Sequence, residues 1–306
     1  MSAIVQESLF LPYRQGQLHL RRVSPANPCD TYPPVLMLHG AMSNGRVFYS
    51  QSGKGLACFL ARAGFNVYVL DTAGRGLSTP RLGPGFELGQ SEVIVEQLPL
   101  VQAYILERHQ QKQIHWCAHS WGGVLMLSSF VRCPELRRSV ASILTFGTKR
   151  AIRTRSLKKW LMVDLVWNRI APALARRDGY FAADKWRMGM DNESRASLQQ
   201  SIEWVRGDWR DDEDAFDYQA EAVELNWPAC WFIAGRNDTV LGNPADVQRT
   251  IAECGIAGAR YTLLARASGY RHDYDHAGML THMDAESDHF PEVLDWYLSH
   301  NVCGLR

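Results

Sequence analysis

The stretch from residue 114 to residue 125 most constrains the fold, because an apolar strand pattern turns abruptly into an apolar helix pattern around one serine. Ala118 stands two residues before Ser120, and Gly122 stands two residues after it. A sharp strand-to-helix turn brings neighbouring backbones close together, so it needs small side chains at these positions. The pattern predicts a nucleophile elbow, in which the Ser120 hydroxyl projects above a sheet and the following helix points N–H groups at the same place.

Length and composition fit a globular protein with a large core. The chain has 306 residues, of which 46% are apolar and 21% are charged, as is ordinary for folded domains. A net charge of +1 gives no reason to expect a nucleic-acid partner. The start of the chain lacks the pattern of a signal peptide, no stretch reaches the ~20 apolar residues of a membrane span, and seven cysteines are scattered. We therefore expect a cytoplasmic protein with free thiols.

Strand and helix patterns alternate along most of the chain. Two early strands are predicted over residues 5–12 and 17–23. Later strand patterns, separated by helix patterns, cover residues 35–38, 66–70, 114–119, 140–146, 229–234 and 259–264. This alternation predicts an α/β fold, with a mostly parallel twisted sheet and helices on both of its faces.

The alternation stops between residues 149 and 226, where the pattern is helical and no clear strand is visible. We interpret residues 149–226 as a helical cap inserted into a core formed by residues 1–148 and 227–306. The insertion opens with six basic residues between Lys149 and Lys159, followed by Trp160. We interpret this basic run as a solvated hinge and helix face. The alternative is a contact surface for an anionic substrate or a layer of membrane headgroups.

An acid and a base follow Ser120 along the chain. Asp238 comes just after a predicted strand, and His276 lies in a loop at the same edge of the sheet. In open α/β sheets, sites form outside the carboxyl ends of the strands. A serine hydroxyl needs a base to accept its proton, and the base needs an acid to orient it and stabilise its charge. His282 is the second candidate for the base, because it lies in the same loop.

Several segments together resemble the α/β-hydrolase superfamily over nearly the whole chain. The matching segments are His39-Gly40, Asp71-Thr-Ala-Gly-Arg-Gly-Leu-Ser78, Ala118-His119-Ser120-Trp121-Gly122-Gly123, Gly235-Arg-Asn-Asp238 and Asp275-His276. The resemblance implies the α/β-hydrolase fold with the family's helical cap at the insertion. The front half, from Val35 to Thr79, also looks like the subset that contains lipases and esterases.

The resemblance also implies roles for individual residues. Ser120 matches the nucleophile, Asp238 the acid and His276 the base. The oxyanion hole is implied to consist of the backbone N–H groups of Ala41 and Trp121, with Met42 as the alternative to Ala41. Two further histidines, His39 and His119, match family positions that we interpret as packing and hydrogen-bonding residues. Asp71 matches a position that closes a loop and is not catalytic.

These features predict a serine hydrolase that cleaves a small-molecule carboxylic ester with an apolar acyl or lipid-like part. No cofactor is required, and the histidines and aspartates of residues 272–289 match no zinc-site spacing. We do not expect membrane contact, and the sequence does not indicate an oligomeric state. Two alternatives stay open: an acyltransferase that uses the same acyl-enzyme, and a non-catalytic ligand-binding member of the fold. A dehalogenase is disfavoured, since that chemistry needs a carboxylate where Ser120 stands.

Overall fold

An eight-stranded sheet forms the centre of the structure, a computed structural model that describes residues 3–27 and 30–301. The described residues form ten strands, of which the seventh and eighth make a separate pair. They are β1 (Ile4–Tyr13), β2 (Gly16–Pro25), β3 (Val35–Leu38), β4 (Val67–Asp71), β5 (Ile114–His119), β6 (Val140–Phe146), β7 (Tyr180–Phe181), β8 (Glu193–Ser194), β9 (Ala229–Gly235) and β10 (Arg260–Leu264). The large sheet has the order β1-β2-β4-β3-β5-β6-β9-β10. Because β2 runs antiparallel to both β1 and β4 and all other pairs in this large sheet are parallel, the predicted mostly parallel α/β sheet is confirmed.

The central strands are buried on both faces, which explains their continuous apolar sequences. Every residue of β3 and of β5 is buried. In the register of the sheet, Ala118 of β5 pairs with Leu38 of β3 on one side and with Thr145 of β6 on the other. The carboxyl ends of these three strands therefore meet at one edge of the sheet.

Helices cover both faces of the sheet, as predicted. Outside the insertion they span Leu56–Arg62, residues 90–109 (Gln90–Glu92, Val93–Gln97 and Leu98–His109), Trp121–Arg132, Pro134–Arg137, Pro244–Glu253, Gly278–Thr281, Ala285–Asp288 and Phe290–Ser299. Neighbouring β5 residues point to different cores. Trp116 belongs to the cluster that contains Leu98 and Val124, whereas Cys117 belongs to the cluster that contains Leu60. Among the described residues, no helix is long and apolar enough to cross a membrane.

The insertion contains helices and one short strand pair. Its helices span residues 157–178 (Leu157–Lys159, Trp160–Ile170 and Ala171–Asp178), Arg195–Arg206 and Tyr218–Ala222. The expectation that it contains no strand is wrong, because β7 pairs antiparallel with β8. Strands of two residues are too short to produce a periodic sequence pattern. The cap boundaries themselves, residues 149–226, stay a prediction.

The start of the basic run is buried rather than solvated. Lys149 and Arg150 are both almost inaccessible to solvent. The Arg150 guanidinium donates to the Glu253 carboxylate at 2.8 Å and to the Trp204 carbonyl oxygen at 3.0 Å. The interpretation of a solvated hinge is therefore wrong for these two residues. The prediction failed because long basic side chains are seldom buried unless they are paired, and the partners of Arg150 lie far away in the sequence.

Candidate active site

Ser120 occupies a strained turn between β5 and the helix Trp121–Arg132. Its φ of 54° and ψ of −124° lie in a region that residues other than glycine rarely adopt. Neighbouring groups hold this conformation. The Ser120 N–H donates to the Phe146 carbonyl oxygen at 2.8 Å, and the Ser120 carbonyl oxygen accepts from the Thr148 hydroxyl at 3.0 Å. The turn is therefore fixed by the end of β6, which lies beside it.

Small residues let the loop after β3 approach this turn. A Cβ atom on Gly122 would lie 2.3 Å from the His39 carbonyl oxygen, and one on Gly40 would lie 2.9 Å from the Ser120 Cβ atom. Glycine is therefore required at both positions on steric grounds. Ala118, by contrast, lies inside β5 and its methyl group belongs to the hydrophobic core, which explains why the turn accepts an alanine there.

A chain of hydrogen bonds joins the three residues that the sequence singled out. The Ser120 Oγ atom lies 2.8 Å from His276 Nε2, and His276 Nδ1 lies 2.5 Å from Asp238 Oδ2. With Nδ1 protonated, the imidazole donates to the carboxylate and accepts the serine hydroxyl proton at Nε2. Ser120 and His276 are 156 positions apart in the chain, so the fold creates this contact. The arrangement can remove the serine proton as the hydroxyl attacks a carbonyl carbon.

Asp238 is held in its ionised form. Burial by itself raises the pKa of this carboxyl group, because a buried charge loses its hydration. The hydrogen bond and positive charge of His276, the Gly242 N–H and the Lys149 ammonium act in the opposite direction, so that the pKa lies below its ordinary value. A carboxylate at this position can stabilise a protonated imidazole.

His282 does not lie against Ser120. The His282 Nδ1 atom accepts from the Asp284 N–H at 3.2 Å, and the Asp284 carboxylate lies 2.6 Å from His272 Nε2. Each of these residues offers a metal-ligating atom, and the three atoms lie within 4.8 Å of one another. Their mutual hydrogen bonds account for this arrangement. The structure thus brings His276, and not the alternative base, to the serine.

Two backbone N–H groups near Ser120 are the candidates for an oxyanion hole. Within residues 3–27 and 30–301, the N–H groups of Ala41 and Trp121 donate to no protein acceptor. The Met42 N–H instead donates to the Glu193 carboxylate at 3.3 Å. Because Met42 is engaged, the geometry favours Ala41 and Trp121 as the pair of donors, and their role stays a prediction.

A cavity extends from this pair toward the insertion. Gly40, Ala41 and Trp121 line it from the core, and Glu193 and Ser197 line it from the insertion. Its walls are mixed, with Thr72, Ala73, Arg75, Leu82, Phe86, Leu88, Gln90, Val93, Gln97 and Leu125. The Trp121 ring is fixed in the wall because its indole N–H donates to the Gln90 side-chain oxygen. The cavity is therefore shaped jointly by the core and the insertion.

Arg75 and Glu193, which both line the cavity, form a buried ion pair. Both side chains are almost fully excluded from solvent. Arg75 neutralises the Glu193 carboxylate, which accepts from the Met42 N–H next to the proposed oxyanion site. Sequence reasoning missed this pair. Arg75 lies in a segment that was singled out, but Glu193 is 118 positions away in the insertion, and no local pattern marks it.

Residues directly after β6 also adjoin the site. Gly147 has a φ of 61°, and a Cβ atom there would lie 2.9 Å from His276 Nδ1. The Lys149 ammonium lies 5.6 Å from the centre of the Trp121 ring, and burial lowers the pKa of Lys149 from 10.5 to about 8. The sequence marked this segment only by a glycine directly after a buried strand and by Lys149 as the first residue of the basic run, and neither signal placed it at the site.

The remaining family-matched residues support the surrounding loops. Asp71 accepts from the N–H groups of Gly45 at 2.7 Å and Leu77 at 3.0 Å, which closes the loop after β4. His119 contacts the His276 carbonyl oxygen at 3.0 Å, and burial lowers the pKa of His119 to about 3. His39 contacts the Gly40 carbonyl oxygen at 2.8 Å. These contacts agree with structural roles for all three residues.

Residues 33–185, half of the chain, match the model of a protein family described as alpha/beta hydrolase fold. No curated protein matches the sequence. Among solved structures, monoglyceride lipase from Saccharomyces cerevisiae is 13% identical with a TM-score of 0.68, over 97% of this chain and 96% of that one. A putative lipase from Acinetobacter baumannii is 13% identical with a TM-score of 0.62, over 96% of this chain and 92% of that one.

The similar structures include enzymes with different reactions. Proline iminopeptidase from Mycobacterium smegmatis is 16% identical with a TM-score of 0.60, over 96% of this chain and 99% of that one. At such low identity, these likenesses establish the fold and not the substrate.

Proposed function

This chain belongs to the alpha/beta hydrolase fold family, and from that premise we propose that it is a serine hydrolase that cleaves a carboxylic ester through an acyl-enzyme on Ser120. The observation that carries the proposal is the continuous hydrogen-bonded chain from the Ser120 hydroxyl through His276 to the Asp238 carboxylate. A serine so connected is activated as a nucleophile. The lipases among the similar structures support an ester as the substrate.

The proposed reaction has two halves. In the first, His276 Nε2 takes the Ser120 proton while Oγ attacks the ester carbonyl carbon, and the N–H groups of Ala41 and Trp121 bind the oxyanion. The bond to the alcohol oxygen then breaks, and the imidazolium protonates the leaving alcohol. In the second half, His276 takes a proton from water, and the resulting hydroxide attacks the acyl carbon. Collapse releases the carboxylic acid and returns the proton to Ser120.

The cavity supports an ester that is partly apolar. Leu82, Phe86 and Leu125 contribute apolar walls close to the proposed oxyanion donors. Thr72 and Ser197 add polar groups to the same cavity. Apolar walls with a few polar groups are typical of small-molecule sites, and these apolar walls favour an ester with an apolar acyl part.

Replacement of the nucleophile tests the proposal. We expect Ser120→Ala to lower kcat/KM for p-nitrophenyl esters on the order of 10⁴-fold or more, because no other group can form the acyl-enzyme. The variant should keep its circular dichroism spectrum and lose labelling by a fluorophosphonate probe. Ser268→Ala is the matched control, because Ser268 lies in an exposed turn and should keep parental activity. Parental turnover by Ser120→Ala would contradict the mechanism.

A pair of histidine variants separates the two candidate bases. His276→Ala should lose activity nearly as completely as Ser120→Ala, since residues that act as a unit do not contribute additively. His282→Ala should keep most activity, because His282 bonds to Asp284 and not to Ser120. If His282→Ala lost activity and His276→Ala kept it, the base would be His282. Product analysis with added alcohol acceptors would distinguish hydrolysis from acyl transfer.

A further inference from the structure

The first helix of the insertion, residues 157–178, turns large apolar side chains toward solvent. Leu157 is 81% exposed, Trp160 is 53% exposed and Leu161 is 50% exposed. Within its central section, Trp160–Ile170, Val163 is the buried residue. A surface helix normally buries its apolar stripe against the core. Here a substantial part of the apolar surface lies outside, without a partner in the described chain.

Exposed apolar residues are concentrated in this part of the chain. Of the sixteen exposed large apolar side chains in the described residues, eight lie between residues 157 and 190: Leu157, Trp160, Leu161, Met162, Ile170, Trp186, Met188 and Met190. Trp160 and Trp186 are the exposed tryptophans in that set. Such a concentration marks an interaction site rather than scattered surface residues.

Positive charge accompanies the apolar side chains. Residues 149–162 contain six basic residues and no acidic residue. Arg153, Arg155 and Lys158 are exposed, and Lys159 is neutralised by Asp164 at 2.7 Å. Tryptophan and leucine beside exposed basic side chains are the composition of a segment that lies on a membrane surface.

We propose that the start of this helix and the residues just before it bind the surface of an anionic lipid bilayer. This surface, named the cap face, comprises Arg153, Arg155, Leu157, Lys158, Trp160 and Leu161. Tryptophan and leucine would enter the boundary between headgroups and acyl chains, and the basic side chains would meet the anionic headgroups. The inference goes beyond ester hydrolysis and does not depend on it.

The positive charge of the cap face favours a lipid surface over a second copy of the chain as its partner. A symmetric dimer through the cap face would bring the same three exposed cations of both copies together, and like charges across an interface are unfavourable. An anionic bilayer instead supplies the opposite charge over the whole surface. The lipid surface is therefore the occupant that the residues favour.

Vesicle sedimentation tests the cap face directly. We expect the full chain to bind phosphatidylcholine vesicles that contain about a third phosphatidylglycerol, and to bind pure phosphatidylcholine at least tenfold more weakly. Trp160→Ser/Leu161→Ser should weaken binding at least tenfold to the anionic vesicles. Arg155→Gln/Lys158→Gln should weaken binding to the anionic vesicles by about fivefold for each charge removed. Added salt at 0.5 M should likewise reduce the parent's preference for the anionic vesicles.

Matched controls separate this interaction from general surface hydrophobicity and from catalysis. Leu100→Ser/Leu298→Ser removes two exposed leucines elsewhere and should leave binding unchanged. Ser120→Ala should also bind vesicles like the parent. Circular dichroism checks that each variant is folded, and quenching of tryptophan fluorescence by brominated lipid should be lost in Trp160→Ser/Leu161→Ser. Absence of vesicle binding by the folded parent would overturn the proposal. If that parent were instead a dimer, and Trp160→Ser/Leu161→Ser made it a monomer, the cap face would bind a second copy of the chain.

Discussion

Two glycines allow the acid and the base of the candidate site to approach the end of β6. Gly147 lies against the His276 ring in a conformation with φ of 61°. A Cβ atom on Gly242 would lie 2.5 Å from Asp238 Oδ2 and 2.6 Å from the Gly147 carbonyl oxygen. The hydrogen bond between His276 and Asp238 therefore forms in a space that side chains at these positions would fill.

Gly147→Ala should separate the geometry of the site from the stability of the fold. The new methyl group would push His276 away from Ser120, and we expect kcat/KM to fall on the order of 10²-fold. Gly258→Ala is the control, because Gly258 also has a positive φ, of 74°, but faces open space. The control should lose about 1 kcal/mol of stability and keep its activity, and Gly147→Ala should lose at least as much stability, measured by urea unfolding. Equal activities would mean that His276 tolerates the displacement.

At the scale of elements, the segment that leads into β8 joins the insertion to two loops of the core. The Asp191 carboxylate accepts from the Gly76 N–H at 2.8 Å and from the Asn44 side chain at 2.7 Å. The Glu193 carboxylate binds both Arg75 and the Met42 N–H. A two-residue strand thus positions the insertion over the proposed oxyanion site.

Removal of one partner of the buried ion pair should destabilise the protein more than removal of both. Glu193→Ala would leave the Arg75 guanidinium buried without a counter-charge, and we expect a loss of about 3–5 kcal/mol. Arg75→Met/Glu193→Ala should recover a large part of that loss, because no unpaired charge stays buried. Urea unfolding at pH 7 measures both. If the single and double variants were equally unstable, the pair would not be the cause.

For the whole molecule, one buried cation makes stability depend on pH. Burial lowers the pKa of Lys149 from 10.5 in its ordinary state to about 8 in the folded protein. Between these values the unfolded chain holds a proton that the folded chain has lost, so the contribution of Lys149 to stability rises with pH. Buried tyrosines with raised pKa values, such as Tyr13 and Tyr218, act in the opposite direction above pH 10. The contribution of Lys149 to the pH dependence of stability is therefore measured by comparison with a variant that lacks this lysine.

Lys149→Met should be more stable than the parent by about 3 kcal/mol at pH 7, because each tenfold loss of proton affinity on folding costs ~1.4 kcal/mol. This difference should shrink to about 1 kcal/mol at pH 10, where the lysine of the folded parent is neutral. Paired urea unfolding curves at the two pH values measure it. A difference that does not change with pH would mean that the ammonium finds solvent or a partner in the folded state.

The sheet was predictable because its strands carry their own signals. The predicted strand over residues 35–38 matches β3 and that over residues 140–146 matches β6, since a strand buried on both faces needs a continuous apolar run. The β7 and β8 pair was missed because two residues cannot show a period. The burial of Arg150 was missed because its partners, Glu253 and Trp204, come from distant segments.

The sequence by itself determined the turn at Ser120 and the alternation of strands and helices around it. Both follow from contiguous residues, through the steric needs of a tight turn and the periodicity of buried faces. Only the tertiary structure decided that His276 rather than His282 meets the serine, that the Met42 N–H is occupied by Glu193, and that Lys149 is buried. These contacts join loops far apart in the chain, and their distances depend on strand order and on the docking of the insertion, which no local pattern contains.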